Sequence, residues 1–146
     1  MKKKAIVYAT GERGIYVGRL ERCFKRSIVP PTLLVSLEDE LEVIDPIRRE
    51  RVRAKSFLIP PGIDMEIDTH GANVALFFLN DTGADLARLS PLMRTTLPIG
   101  YQHCFADIKG ESDVVEFANF LRNQRPTLAT VEQLVHEWMF HPSRCQ

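Results

Sequence analysis

Short strand-like runs, some of them alternating apolar and polar residues with period two, fill the first eighty positions, and apolar residues recur with helical spacing near the end. Ala5-Ile6-Val7-Tyr8 is a short β-rich run, and Thr10-Gly11-Glu12 reads as a turn. In residues 14–20, Ile15, Val17 and Arg19 share one strand face, and Tyr16, Gly18 and Leu20 the other. After Pro30-Pro31, the run Leu33 to Leu37 predicts a strand. Glu38-Asp39-Glu40 reads as a polar tip, and Leu41 to Ile44 as its hairpin partner. Arg51, Val52, Arg53, Ala54 and Lys55 alternate charged out, small apolar in. Residues 72–79 are nearly continuous apolar, the pattern of a strand covered on both faces. Many short strands punctuated by turns predict a sandwich or barrel.

After residue 80 the texture changes. Asp81-Thr82 predicts the cap of a short helix running to Leu89. The stretch Arg94 to Gly110, broken by Pro98 and Gly100, reads as irregular. Val114, Phe117, Ala118 and Leu121 then fall at helical spacing, with Ser112 or Asp113 as the cap. Arg122 to Thr127 forms a bend with Pro126 as its breaker, and Thr130 with Gln133 fits a capping box for a last helix. That helix carries a complete apolar stripe of Val131, Leu134, Val135, Trp138 and Met139. One flanking helix would not cover so wide a stripe, so it reads as core packing, a dimer interface or both, and Trp and Met favour the interface. The predicted organisation is a β-barrel over residues 1–80 and a helical segment over 81–146, closing with an antiparallel helix pair.

Residues 56–65 read Ser-Phe-Leu-Ile-Pro-Pro-Gly-Ile-Asp-Met. Phe57 to Ile59 has strand character; Pro60 and Pro61 remove two backbone donors and stop the ladder, and Gly62 suits the tight turn that follows. A second strand can start at about Ile63. This arrangement resembles the second sequence motif of the cupin superfamily, small double-stranded β-barrels of jelly-roll type. In metal-binding cupins a histidine stands three residues after that glycine; here Met65 stands there. The resemblance therefore implies a barrel that senses or scaffolds. The longer run from Ser56 to Leu89, with His70-Gly71, Val74–Leu79 and Asn80-Asp81 after the Pro-Pro-Gly turn, resembles the N-terminal domain of AraC-type transcription regulators. In that family the barrel receives a small effector and the following helices dimerise. These regulators also carry about a hundred residues of paired helix-turn-helix. Residues 111–146 supply no such pair, so the chain is expected to be either the first part of a longer regulator or a stand-alone relative of its sensor domain.

Composition narrows the chemistry. Lys plus Arg and Asp plus Glu both number 19, so no net basic field points to nucleic acid or an acidic membrane. Apolar runs are far shorter than the ~20 residues a bilayer needs, and no signal h-region follows Met1-Lys2-Lys3-Lys4, so the cytoplasm is the expected compartment. Cys23, Cys104 and Cys145 form neither a disulfide framework nor a metal knuckle, and read as buried reduced thiols. His70, His103, His136 and His141 are scattered, and residues 18–37 hold no histidine, so no metal and no cofactor is expected. No nucleophile elbow, zinc-protease motif or phosphate loop occurs, which predicts a non-enzymatic protein. The basic run Arg48 to Lys55 reads as a solvated strand face neutralised by Glu42 and its acidic neighbours, rather than as a phosphate grip. The expected function is effector sensing and dimerisation in an AraC-type regulator. A small molecule would sit in the barrel among Phe24, Leu34, Met65 and Phe77, and DNA would be contacted only through a helix-turn-helix unit that this chain lacks. The alternative is a stand-alone cupin-like binding protein or isomerase.

Overall fold

A computed structural model describes residues 5–20, 23–27 and 30–138, with side chains described outside 23–27 and 138. Eleven strands are described there: β1 (Ile6–Ala9), β2 (Gly14–Arg19), β3 (Cys23–Ser27), β4 (Thr32–Ser36), β5 (Leu41–Ile44), β6 (Arg51–Ala54), β7 (Ser56–Ile59), β8 (Asp64–Asp68), β9 (Asn73–Phe78), β10 (Met93–Ile99) and β11 (Gln102–Ile108). Three α-helices accompany them: α1 (Ala84–Leu89), α2 (Glu111–Gln124) and α3 (Leu128–Trp138). The strands form two antiparallel sheets, a seven-stranded one in the order β1-β2-β9-β4-β7-β11-β10 and a four-stranded one in the order β3-β8-β5-β6. The molecule is three-layered. The small sheet covers one face of the large sheet; α2, over β2 and β4, and α3, over β1, cover the other.

Period-two alternation sorts the core into two. Ile15, Val17, Leu33, Val35, Leu58, Ala75 and Phe77 face the helices, where they meet Val114, Ala118, Leu121, Val131 and Val135. Leu34, Phe57, Ile59, Val74 and Leu76 face the small sheet and meet Val43, Met65 and Ile67. Strand β9 therefore buries both faces, as its unbroken apolar run predicts, and β2 splits its residues between faces as its alternation predicts. Burying each large aliphatic side chain contributes about 1.5–3 kcal/mol, so the two cores, rather than the ladder bonds, supply most of the stabilisation. Pro60-Pro61-Gly62 ends β7 in one sheet and starts β8 in the other; Gly62 has φ +75°, a conformation that costs a residue with a Cβ.

Four local expectations are overturned. Strands β4 and β5 are not a hairpin: β4 pairs β7 and β9, while β5 pairs β6 and β8 in the other sheet. Every residue of β4 is buried, so it needs partners on both edges, and the acidic tip makes a corner between sheets, with the Ser36 hydroxyl donating to the Asp39 carbonyl. The stretch 94–110 is mainly the β10–β11 hairpin, which adds to the large sheet through β7. Pro98 is tolerated because β10 lies at the sheet's edge, and Gly100 (φ +62°) makes the turn. Helix α2 starts from Gly110 in the left-handed region, without a side-chain cap from Ser112 or Asp113. Helix α3 starts three residues earlier than the capping box implies, and its cap is Thr127, whose Oγ1 accepts the Thr130 N–H at 3.3 Å. The bend between α2 and α3 falls where Pro126 predicts it.

Candidate functional site: a cavity between the large sheet and the last helix

The space between the sheets is packed with side chains: Leu34, Phe57 and Ile59 are fully buried and Met65 is 3% exposed. On the opposite face of the large sheet lies a cavity of about 420 Å³. The β1–β2 turn and the end of β9 form its sheet side, and Leu128, Val131, Glu132, Val135 and His136 of α3 form its helix side. Its base is apolar, with Ile15, Phe77 and Leu79, and polar groups gather at Tyr8, Thr10, Glu12 and Arg13. An apolar body with a few placed polar groups is the usual make-up of a small-molecule site.

The polar wall is held from behind. Arg13 makes a two-pronged contact with Asp85 at the start of α1, Nε to Oδ2 at 2.7 Å and Nη2 to Oδ1 at 2.8 Å. Asp85 is 1% exposed. Burial alone would push its carboxyl up, but the Arg13 fork and the Asn80 N–H outweigh it and hold the carboxyl below the ordinary range. The Arg13 charge in the wall is thereby already matched. The Thr10 hydroxyl accepts the Glu12 and Arg13 N–H groups and rigidifies the β1–β2 turn. Tyr8 donates its hydroxyl to the Pro126 carbonyl at 2.7 Å. Burial pushes this phenol above its ordinary value, and the nearby Arg125 charge opposes the shift. Phe77 stacks on Phe117 of α2 with ring centroids 6.3 Å apart, which ties the cavity base to the helix layer.

The residues singled out from sequence distribute unevenly. Leu34 and Met65 meet in the inter-sheet core. Phe77 points to the opposite face and lines the cavity, so it does not join them. The side chain of Phe24 lies outside the described residues. In the stripe, Val131 and Val135 are buried in the protein's own core, Leu134 is half-buried, and the Trp138 side chain and Met139 lie outside the described residues. Sequence reasoning missed Tyr8, Arg13, Asp85 and Leu128. Arg13 and Asp85 are 72 positions apart, and no local pattern signals such a pair.

Elsewhere the polar clusters are structural. Glu42 receives Arg51 at 2.8 Å, with Arg53 at 3.7 Å and His70 at 3.3 Å, so the basic strand face is matched across the sheet as expected. Asp45 is fully engaged. Its Oδ1 accepts the Ile47, Arg48 and Gly100 N–H groups and its Oδ2 accepts Arg48 Nη1, stitching the β5–β6 turn to the β10–β11 turn. Burial opposes its ionisation, yet these bonds hold its carboxyl down at about 2. Cys104 is fully buried and burial pushes its thiol up to about 12, the behaviour of a small apolar filler. Among the described residues no group of three or more His, Cys, Asp or Glu could hold a metal ion, and no helix is long and apolar enough to cross a membrane.

No protein-family model and no curated protein matches the chain. Solved structures do. ToxT K231A from Vibrio cholerae, an AraC-type regulator in its apo form, aligns at TM-score 0.50 and 7% identity, over 77% of this chain and 48% of that one. A cupin domain from Bordetella pertussis aligns at TM-score 0.41 and 10% identity over 55% of this chain and 97% of that one. An ethanolamine utilization protein Q from Salmonella typhimurium aligns at TM-score 0.43 and 19% identity over 53% and 68%. The chain spans about half the length of ToxT. The likeness to ToxT is one of fold: a mainly β, cupin-like jelly roll followed by helices.

Proposed function

We propose that this chain is a non-enzymatic sensing and dimerisation domain of an AraC-type regulator, and that its effector binds in the cavity under α3 rather than between the sheets. The observation that carries the reading is that the cavity has the sheet as one wall and α3 as the other. An occupant there touches a rigid scaffold and the helix layer at once. It can favour one seating of α3 over another by as much as its affinity differs between them. Val131 and Val135 are used in the protein's own core, so a dimer contact through the helix layer falls to half-buried Leu134 with Phe120 and Leu128, which are 39% and 41% exposed. DNA contact belongs to a separate helix-turn-helix unit.

The test is a fusion of this chain to a DNA-binding domain that represses a reporter only as a dimer. The fusion should repress, and compounds that raise the melting temperature of the isolated chain should change repression. A fusion that never represses, or stabilising compounds that leave repression unaltered, would contradict the sensing role.

A further inference from the structure

The cavity and the α2–α3 connection meet at one residue. Tyr8 lines the cavity, and the same side chain donates to the Pro126 carbonyl, 118 positions away, at 2.7 Å. Pro126 sits between two structural commitments. Arg125, with φ +48°, ends α2 by donating its N–H to the Leu121 carbonyl at 3.0 Å. Thr127 begins α3, its side chain capping Thr130 and its carbonyl accepting the Val131 N–H at 3.0 Å. Proline has no N–H of its own, so at this residue the carbonyl is the backbone group through which the connection can be tied down. Tyr8 holds it there, and thereby holds the start of the helix that forms the other cavity wall.

We propose that the effector is an apolar molecule bearing a hydrogen-bond acceptor, and that this acceptor takes the Tyr8 hydroxyl from the Pro126 carbonyl and releases the first turn of α3. The inference rests on the reading of the cavity as the effector site. A phenol has a single proton to donate, so it cannot serve both acceptors fully. The apolar body would lie on Ile15, Phe77 and Val131, with its acceptor toward Tyr8. Pro126 is only half-buried, so water can take over its carbonyl when the tyrosine leaves, and the release carries no large desolvation penalty. Tyr8 is thus a positioning residue for α3 as well as a contact for the effector.

Acetophenone and α-methylstyrene separate the two roles, because they match in shape while only acetophenone accepts a hydrogen bond. Amide hydrogen exchange is read at Thr130 and Val131 in the whole chain, with amides of β4 and β9 as internal controls. Acetophenone should speed exchange at Thr130 and Val131 by about fivefold relative to α-methylstyrene, the size of one net hydrogen bond. Tyr8→Phe should show the faster rate without any probe, and acetophenone should add nothing further. Equal effects of two bound probes, or wild-type exchange in Tyr8→Phe, would overturn the inference while leaving the cavity as a binding site. If neither probe binds, both the inference and the effector-site reading fail. Should Tyr8→Phe also speed the control amides, the wild-type comparison of the two probes still decides.

Discussion

The two faces of the large sheet have been put to different uses. Toward the small sheet, Leu34, Phe57, Ile59 and Met65 interdigitate into a closed layer. Toward the helices the same strands present Ile15 and Phe77, but α3 stands off enough to leave a cavity of about 420 Å³ bounded by charged and hydroxyl groups. A sheet packed against a sheet closes by pleat on pleat, whereas a short helix over a sheet edge covers only part of it. The fold resembles a barrel whose interior is the natural place to look for a ligand, yet this cavity lies outside that interior. Both faces are closed by a buried core, and the helix side also holds the cavity.

If that contrast is right, truncation between the sheets should be the most damaging change. Phe57→Ala should cost about 3–5 kcal/mol, read as a fall in urea midpoint with unchanged slope, since Phe57 is fully buried among well-packed neighbours. A loss below 1 kcal/mol would mean that this interior is loosely filled.

The next effect is electrostatic. Asp45 joins a turn of the small sheet to a turn of the large one, and its carboxyl is held at about 2 against an ordinary 3.8. A depressed carboxylate contributes stability that is full above its unfolded value and lost as pH falls through its folded value. Wild type should therefore lose about 2 kcal/mol between roughly pH 4 and pH 2 from this group. Asp45→Ala should be destabilised by about 2–3 kcal/mol at pH 7, because three backbone donors lose their acceptor. In urea titrations across this range, the gap between the two proteins should narrow as the pH drops. A constant gap would detach the effect from ionisation.

The smallest effects sharpen the contrast most. Met65→Leu nearly conserves volume in the closed layer and should cost under about 1.5 kcal/mol with no effect on any ligand. Leu128→Ser, at a 41% exposed cavity residue, should change stability by less than about 0.5 kcal/mol and still weaken binding of an apolar probe. Thermal melts with and without toluene separate these outcomes. A ligand effect from Met65→Leu and none from Leu128→Ser would reverse the assignment of the two faces.

What could be read from sequence follows the range of the interactions involved. Strand β9, the Pro60-Pro61-Gly62 turn and the α2–α3 bend are set by periodicity and local dihedral chemistry, and they appear where those rules put them. The pairing of β4 with β7 and β9 is set by burial on both sides, which adjacency in sequence does not express. Pro98 misleads for a related reason: whether proline breaks a strand depends on its place in the sheet, and β10 is at an edge. The site was legible only in pieces. Phe77, Val131 and Val135 stand out as large apolar residues, but the strand parity that sends Phe77 away from Met65 is needed to see that the three line one cavity. Tyr8 with Pro126, and Arg13 with Asp85, are single long-range contacts, and periodicity carries no trace of them.

The most direct test of the central claim is to locate a bound apolar probe. Toluene titrated into methyl-labelled protein should shift the methyl signals of Ile15, Leu79, Leu128, Val131 and Val135 around the cavity. The methyls of Leu34, Ile59, Met65 and Ile67 between the sheets should stay in place. Saturable shifts confined to the second group would put the binding site inside the barrel and contradict the account.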